Sequence, residues 1–423
     1  MTPSFDTLQD IRDKIETLYR LFGLDPLNVT ADEVPSVVVI LGSSRSGSSL
    51  LFHLLSESGG FWAPQGEETP FFRAEGLGYV STPAESDEIF PPISEFIQAG
   101  VFSRIINDLG RRVPGGGLKD SRFQLQTAVR LLLQWPDLRP ERLHECLLEL
   151  GAKTPDVTVF WLQLFERLDV DSHFYDLEGF HASRFRALEV PEFLLEEPPF
   201  VLNSPRVVPS GASDLAAFPI LLKSSTHAYR MSLLKTVFPH TRFQWVVLTR
   251  NPAGTVNGLM DGWRSNAFHS HNMEQVARLN IQGYTDISVQ GDRWWKFDLP
   301  PGWSHYCSQT LTEVCAFQWH SAYTSILSST RSAGDPVLKI RYEDLVNPVR
   351  CSGVLRSVFE FAGVKPKKVA GLEQTRAVMA SANPVPVRWR QREDLLRPLV
   401  HREDISALAR ELGYDVSQDN EWT

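Results

Sequence analysis

The residues Gly42, Ser43, Ser44, Arg45, Ser46, Gly47, Ser48 and Ser49 have the spacing of a phosphate-binding loop. Glycines there let successive backbone N–H groups converge on an anion, and a helix starting just beyond adds its positive end. Ser48 stands where the usual motif carries lysine, and that lysine bridges the outer phosphates of a triphosphate. Its absence counts against kinase or ATPase chemistry. Arg45, inside the loop, could instead clamp one terminal phosphate. The same spacing also fits a serine-rich turn that holds no ligand.

Two more basic residues close apolar runs. Lys223 ends FPILLK, with Ser224, Ser225, Thr226 and His227 behind it, and Arg250 ends the run in VVLTRNPAGTVNG, where Asn251 and Pro252 open a helix. In a parallel sheet, ligands gather beyond the carboxyl ends of the strands. Lys223 and Arg250 are therefore expected at the same edge as Arg45. One lysine closing a strand is ordinarily just solvated; three polar or basic strand ends at one edge are harder to dismiss.

The elements that would position them alternate. Residues 34–41 (VPSVVVIL), 218–223, 243–248 and 337–340 are short apolar runs, each followed by a helical pattern, at 50–55, 229–237, 255–259 and 349–362. This pattern predicts an α/β fold, a parallel sheet flanked by helices. Leu8, Ile11, Ile15, Leu18 and Leu21 share one face of a leading helix. The expected organisation is an N-terminal helical extension at 1–34 and a single α/β domain at 35–423. That domain carries a helical insert at 74–216, with helices near 121–133 and 141–150, and an aromatic-rich insert at 263–335, with a helix at 305–328. The second insert holds Trp263, Trp294, Trp295, Trp303, Trp319, His269 and His271. It reads as a lid or wall over an apolar acceptor, or as ordinary aromatic core.

Composition narrows the partners. With 42 Lys plus Arg against 51 Asp plus Glu, the 423-residue chain has a net charge of −9. That argues against a sequence-independent nucleic-acid binder, which needs an excess of cations, but not against one small anion site. Cys146, Cys307, Cys315 and Cys351 show no metal-ligand spacing, so no metal is expected. The start of the chain lacks a leader pattern and no apolar run is long enough to span a membrane, so the expected location is cytoplasmic.

Taken in order, GSSRSGSSLL, QGEETPFF, LLKSSTH, VVLTRNPAGTVNGL, LKIRYEDLVNP and VRWRQREDLLRPLV with ELGYD resemble the sulfotransferases that use 3′-phosphoadenosine 5′-phosphosulfate (PAPS). The resemblance runs through the core from Val37 to Tyr414 without the inserts, and GEET brings it nearer the bacterial and Golgi-type branches. It implies a P-loop nucleotide-kinase-like sulfotransferase fold, PAPS as donor and 3′-phosphoadenosine 5′-phosphate (PAP) as product, without a metal. The acceptor would be a hydroxyl of a small molecule, lipid, polyketide or carbohydrate.

The resemblance also implies roles. Arg45 and the backbone of Ser46, Gly47, Ser48 and Ser49 would hold the 5′-phosphate, Lys223 would approach the bridging oxygen, and Arg250 would bind the 3′-phosphate. Where the family commonly has a serine two helical turns after that arginine, this chain has Gly258, so Asn257, Thr255 or a backbone amide would take its place. Arg388 and Arg390 would add charge at the same phosphate, or form a basic surface turn. Two general bases compete: Glu68, whose carboxylate a partly closed pocket would make more basic, and His227, four residues after Lys223. Glu68 is preferred, with Glu67 as a neighbour whose charge could tune it. The expected activity is in-line sulfonyl transfer assisted by a base. The alternatives are a nucleotide kinase or NTPase with a degenerate loop, and a nucleotide-binding module without turnover.

Overall fold

The computed structural model describes residues 5–90, 92–112, 117–154, 156–175, 194–288, 291–366, 378–382, 385 and 387–422. Its strands are β1 (Ser36–Leu41), β2 (Ile220–Lys223), β3 (Arg242–Thr249), β4 (Ser270–Asn272), β5 (Trp294–Lys296) and β6 (Val337–Arg341). Four of them form a parallel sheet in the order β2-β1-β3-β6, and β4 pairs with β5 as an antiparallel ribbon. Every residue of β1 is buried, as expected of a β-branched run covered on both faces of a sheet.

Alternation along β1 divides the core. Val37, Val39 and Leu41 join the larger apolar cluster, while Val38 and Ile40 meet Leu51, Leu54 and Leu55 of the Ser48–Ser56 helix and Leu355, Val358 and Phe359 of the Cys351–Ala362 helix. Register then aligns the strand ends: Ile40 lies opposite Lys223, and Leu41 opposite Val247. The chain therefore leaves β1, β2 and β3 at one edge, where Gly42, Ser224 and Arg250 follow.

The leading helix, Phe5–Phe22, buries Leu8, Ile11, Ile15 and Leu18 and packs on the insert helices Ser121–Gln134 and Pro140–Lys153. The expected helix at 305–328 is instead a short 3-10 turn, Trp303–Tyr306, followed by Leu311–Ala333. Thr310 is the reason: its side chain accepts from the Glu313 N–H and starts the long helix there.

Four of the five tryptophans in the aromatic insert are core. Trp263, Trp295, Trp303 and Trp319 are all fully buried, and Trp295 meets Trp263 and Trp303 with ring centroids 5.2 and 5.7 Å apart. Among the described residues no helix is long and apolar enough to cross a membrane.

Candidate functional site

Backbone geometry fixes the 42–49 loop first. Gly47 has φ +94° and caps the Ser48–Ser56 helix, with the ring of Tyr342 where a Cβ would point. Only glycine combines that left-handed conformation with so close a ring. Gly42 is equally confined, because a Cβ there would lie 2.6 Å from Ser46 Oγ and 3.0 Å from the Leu248 carbonyl. The Ser46 N–H donates to Ser43 O at 3.1 Å, and Ser44 Oγ donates to Asp298 Oδ1 at 2.6 Å. Ser46 Oγ is buried without a hydrogen-bond partner among the described residues. A buried hydroxyl in that state beside a helix N-terminus is suited to an incoming anion.

Lys223 reaches this loop from β2. Its Nζ donates to Ser49 Oγ at 2.9 Å and pairs with Glu67. The Lys223 side chain is only 5% exposed, so a charge on it acts through little intervening water. Its backbone N–H donates to Glu68 Oε1 at 2.8 Å, and the other oxygen of Glu68 meets His227 Nε2 at 3.1 Å. A carboxylate only accepts, so the neutral imidazole carries its proton on Nε2 and leaves Nδ1 as the lone-pair nitrogen. Nδ1 is buried without a partner among the described residues. Behind this group, Arg130 donates to the Glu67 carbonyl at 3.0 Å and pairs with Asp108 and Glu196, holding the carboxylate loop to the helical insert.

The guanidinium groups form a second cluster beside the loop. Arg250 Nη1 donates to the Arg45 carbonyl at 2.9 Å, and its guanidinium lies 4.2 Å over the Tyr342 ring. Arg45 donates to Met379 O at 2.7 Å and Ser381 Oγ at 2.8 Å, with Phe268 beneath it at 4.7 Å. Burial lowers its pKa to about 10, and the neighbouring charge of Arg250 adds to the effect. It stays charged at neutral pH. A Cβ on Gly258 would sit 3.4 Å from Arg45 Cβ and 3.9 Å from Arg250 Nη1, so the glycine faces the space between the two arginines.

The remaining expected residues divide. Thr255 Oγ1 bonds back to Asn251 O at 2.9 Å, and Asn257 Oδ1 accepts from Arg392. Arg388 pairs with Asp261, and Arg392 bridges Asp261 at 2.6 Å. Arg390 instead lies 5.9 Å over the neighbouring Trp389 ring. Arg388 and Arg392 thus share one carboxylate, Asp261, whose charge also reaches Arg45. Neither Arg45 nor Arg250 has an ion-pair partner among the described residues. Such an excess of fixed positive charge favours a polyanion.

Sequence reasoning passed over Arg392, Asp261 and Asp298. Arg388 and Arg392 lie in one 3-10 turn, Arg388–Arg392, where residues four apart do not share a face, so spacing gave no signal that both would meet Asp261. Asp298 stands out only as the single acid in WWKFDLPPGW. It is fully buried, takes hydrogen bonds from Ser44 and, at 2.9 Å, from Tyr229, and burial raises its pKa to about 7. Among the described residues no cluster of three or more His, Cys, Asp or Glu could hold a metal ion.

No family model matches the chain, and no curated protein matches it in sequence. Two solved structures are similar. The sulfotransferase domain from the curacin biosynthetic pathway is 13% identical, with a TM-score of 0.38 over 90% of this chain and 98% of that one. The sulfotransferase domain from the Synechococcus PCC 7002 olefin synthase is 15% identical, with a TM-score of 0.38 over 90% of this chain and 96% of that one. A likeness of this size carries no argument about activity.

Proposed function

We propose that the chain is a sulfotransferase that moves a sulfonyl group from PAPS to the hydroxyl of an acceptor. One observation carries the reading. Lys223 touches the anion loop through Ser49 with its ammonium group and binds Glu68, the partner of His227, with its backbone N–H. A leaving-group stabiliser and a proton acceptor thereby meet at one strand end.

In the proposed step the bond between sulfur and the 5′-phosphate oxygen breaks as a bond from the acceptor oxygen to sulfur forms. Lys223 faces the bridging oxygen on which charge develops, and the loop N–H groups hold the phosphate it belongs to. His227 takes the acceptor proton on Nδ1, and Glu68 fixes the ring and stabilises the imidazolium that results. This reverses the order of preference drawn from sequence, because both oxygens of Glu68 already accept hydrogen bonds. Arg45, expected from sequence at the 5′-phosphate, is assigned instead with Arg250 to the 3′-phosphate, because the two residues are bonded to each other and flank Gly258, and Arg388 and Arg392 add positive charge beside it. PAPS has no triphosphate to neutralise, so the scheme assigns no role to magnesium.

Calorimetric titration with PAP tests the reading, followed by transfer of radiolabelled sulfonate from PAPS to a panel of hydroxylated acceptors. Micromolar or tighter PAP binding with label transfer is expected. Tight ATP binding with ADP release, and no response to PAP, would favour the nucleotide kinase or NTPase alternative.

A further inference from the structure

His269 and His271 lie outside the chemistry above. Their rings meet edge to face with centroids 4.7 Å apart, at the start of the ribbon formed by β4 and β5. Around them stand Arg73, Arg230 and Lys296, which are 8%, 4% and 6% exposed. Two carboxylates answer these three cations. Glu197 Oε1 accepts from Arg73 Nη1 and from the Ser270 N–H, each at 3.1 Å, and lies 3.8 Å from His269 Nδ1. Asp87 pairs with Arg230, and its second oxygen accepts from the Leu299 N–H at 2.7 Å.

Lys296 is the cation left over. Its Nζ donates to the Ala267 carbonyl at 3.2 Å and meets no carboxylate within ion-pair distance among the described residues. His271 Nε2 is likewise buried without a hydrogen-bond partner among them. Burial holds both rings neutral, that of His271 at a pKa of about 4 and that of His269 well below its ordinary value, and it lowers Lys296 to about 8. Arg73 and Arg230 push both histidines further the same way, while Asp87 opposes them at His271. Glu197 attracts this ammonium only from beyond ion-pair distance, and a buried ammonium so incompletely neutralised is costly, so the fold gains by receiving an anion there.

The cluster adjoins the transfer site. Phe72, beside Arg73 in the Thr69–Ala74 helix, meets the His227 ring at 6.3 Å on one side and lies 5.9 Å from the Arg230 guanidinium on the other. The Arg73, Glu197 and His269 side chains keep 10%, 15% and 20% exposure, which marks the side of entry.

We propose that this cluster is the anion-binding half of the acceptor site: the hydroxyl substrate carries a carboxylate or phosphate that Lys296 and Arg73 receive. The proposal rests on the sulfotransferase reading for the word acceptor; the anion site itself does not.

The full chain, with and without PAP, is titrated with paired probes: 4-hydroxybenzoate, 3-hydroxybutyrate and 3-hydroxydecanoate, each against its methyl ester. A further pair, 4-hydroxyphenyl phosphate against hydroquinone, separates phosphate from carboxylate. At least one acidic probe is expected to bind about tenfold or more tightly than its neutral counterpart. Lys296→Met should bring that ratio within about twofold while leaving PAP affinity unchanged and Tm equal or higher, since it removes a buried unpaired charge. Lys296→Arg should keep the preference. If Lys296→Met does not fold, Lys296→Gln carries the same test. Equal binding of acids and neutral partners across the panel, or a preference that survives both variants, overturns the proposal. Acid preference without PAP binding would remove the sulfotransferase reading and leave the anion site; PAP binding without acid preference would do the reverse.

Discussion

Arg250 donates from Nη1 to the backbone carbonyl of Arg45 at 2.9 Å, so one guanidinium fixes the residue that carries the other. The Arg45 backbone sits at φ +67°, a conformation non-glycine residues seldom adopt, and this bond helps to hold it there. The two groups proposed to face the 3′-phosphate are therefore coupled rather than additive.

Arg250→Ala should weaken PAP binding about thirtyfold or more, the loss of a charge-assisted contact together with the loop conformation. Calorimetry with PAP and with adenosine 5′-phosphate checks it. The loss should be much larger for PAP, and equal losses for both nucleotides would place Arg250 away from the 3′-phosphate.

Glu68→Gln separates positioning from binding. With its carbonyl accepting the Lys223 N–H, the new amide would donate to His227 Nε2 and move the ring proton to Nδ1. Turnover should fall about a hundredfold or more with PAP affinity within about twofold. His227→Ala should lose turnover to a similar degree, and the double variant should be no worse than either single one. Full activity in His227→Ala would return the role of base to Glu68.

Gly258→Ser should fold, because its Cβ would make ordinary contacts at 3.4 and 3.9 Å and serine is the better helix former. Its hydroxyl would point between Arg45 and Arg250, so PAP affinity should be equal or higher by calorimetry. A large loss would mean that this space is filled differently when the nucleotide binds.

Asp298 predicts a pH dependence of stability. Burial raises its pKa to about 7, with the charge of Asp87 adding, so the folded state binds this proton more tightly than the unfolded chain, where an aspartate titrates near 4. That contribution is fully present below about pH 4 and is lost as the pH rises through about 7. Asp298→Asn cannot charge, so its Tm relative to wild type should climb between pH 5 and pH 8 in scanning calorimetry. A constant difference would show that Asp298 is ionised throughout.

Much of the fold is legible in the chain. The apolar runs mark β1 to β3 because strands buried on both faces need nothing else, the run at the half-buried edge strand β6 is marked too, and the parallel sheet then places Lys223 and Arg250 at one edge without further information. The pairings across the site are not legible. Glu67 and Glu68 are adjacent in sequence, yet one is about a third exposed and the other fully buried, and only the packing of the Thr69–Ala74 helix separates them. Ser44 and Asp298 lie 254 residues apart, so no local pattern joins them. Nothing local shows that Arg388 shares Asp261, on the facing helix, with Arg392. The tryptophans follow the same logic: density of aromatics signals burial, but not which surface they bury.

The position of β1 between β2 and β3 also sets an order of events at the ribosome. Val37 finds its parallel partners only at Ile220 and Phe243, so the most apolar strand in the sheet emerges long before anything can pair with it. At ordinary synthesis rates that interval is on the order of ten seconds or more. The leading helix faces a shorter wait of the same kind for the helices at 121–153. For that time the VVVIL segment is an unpaired sticky edge, and the nascent chain has every physical reason to be held by a chaperone until β2 and β3 arrive.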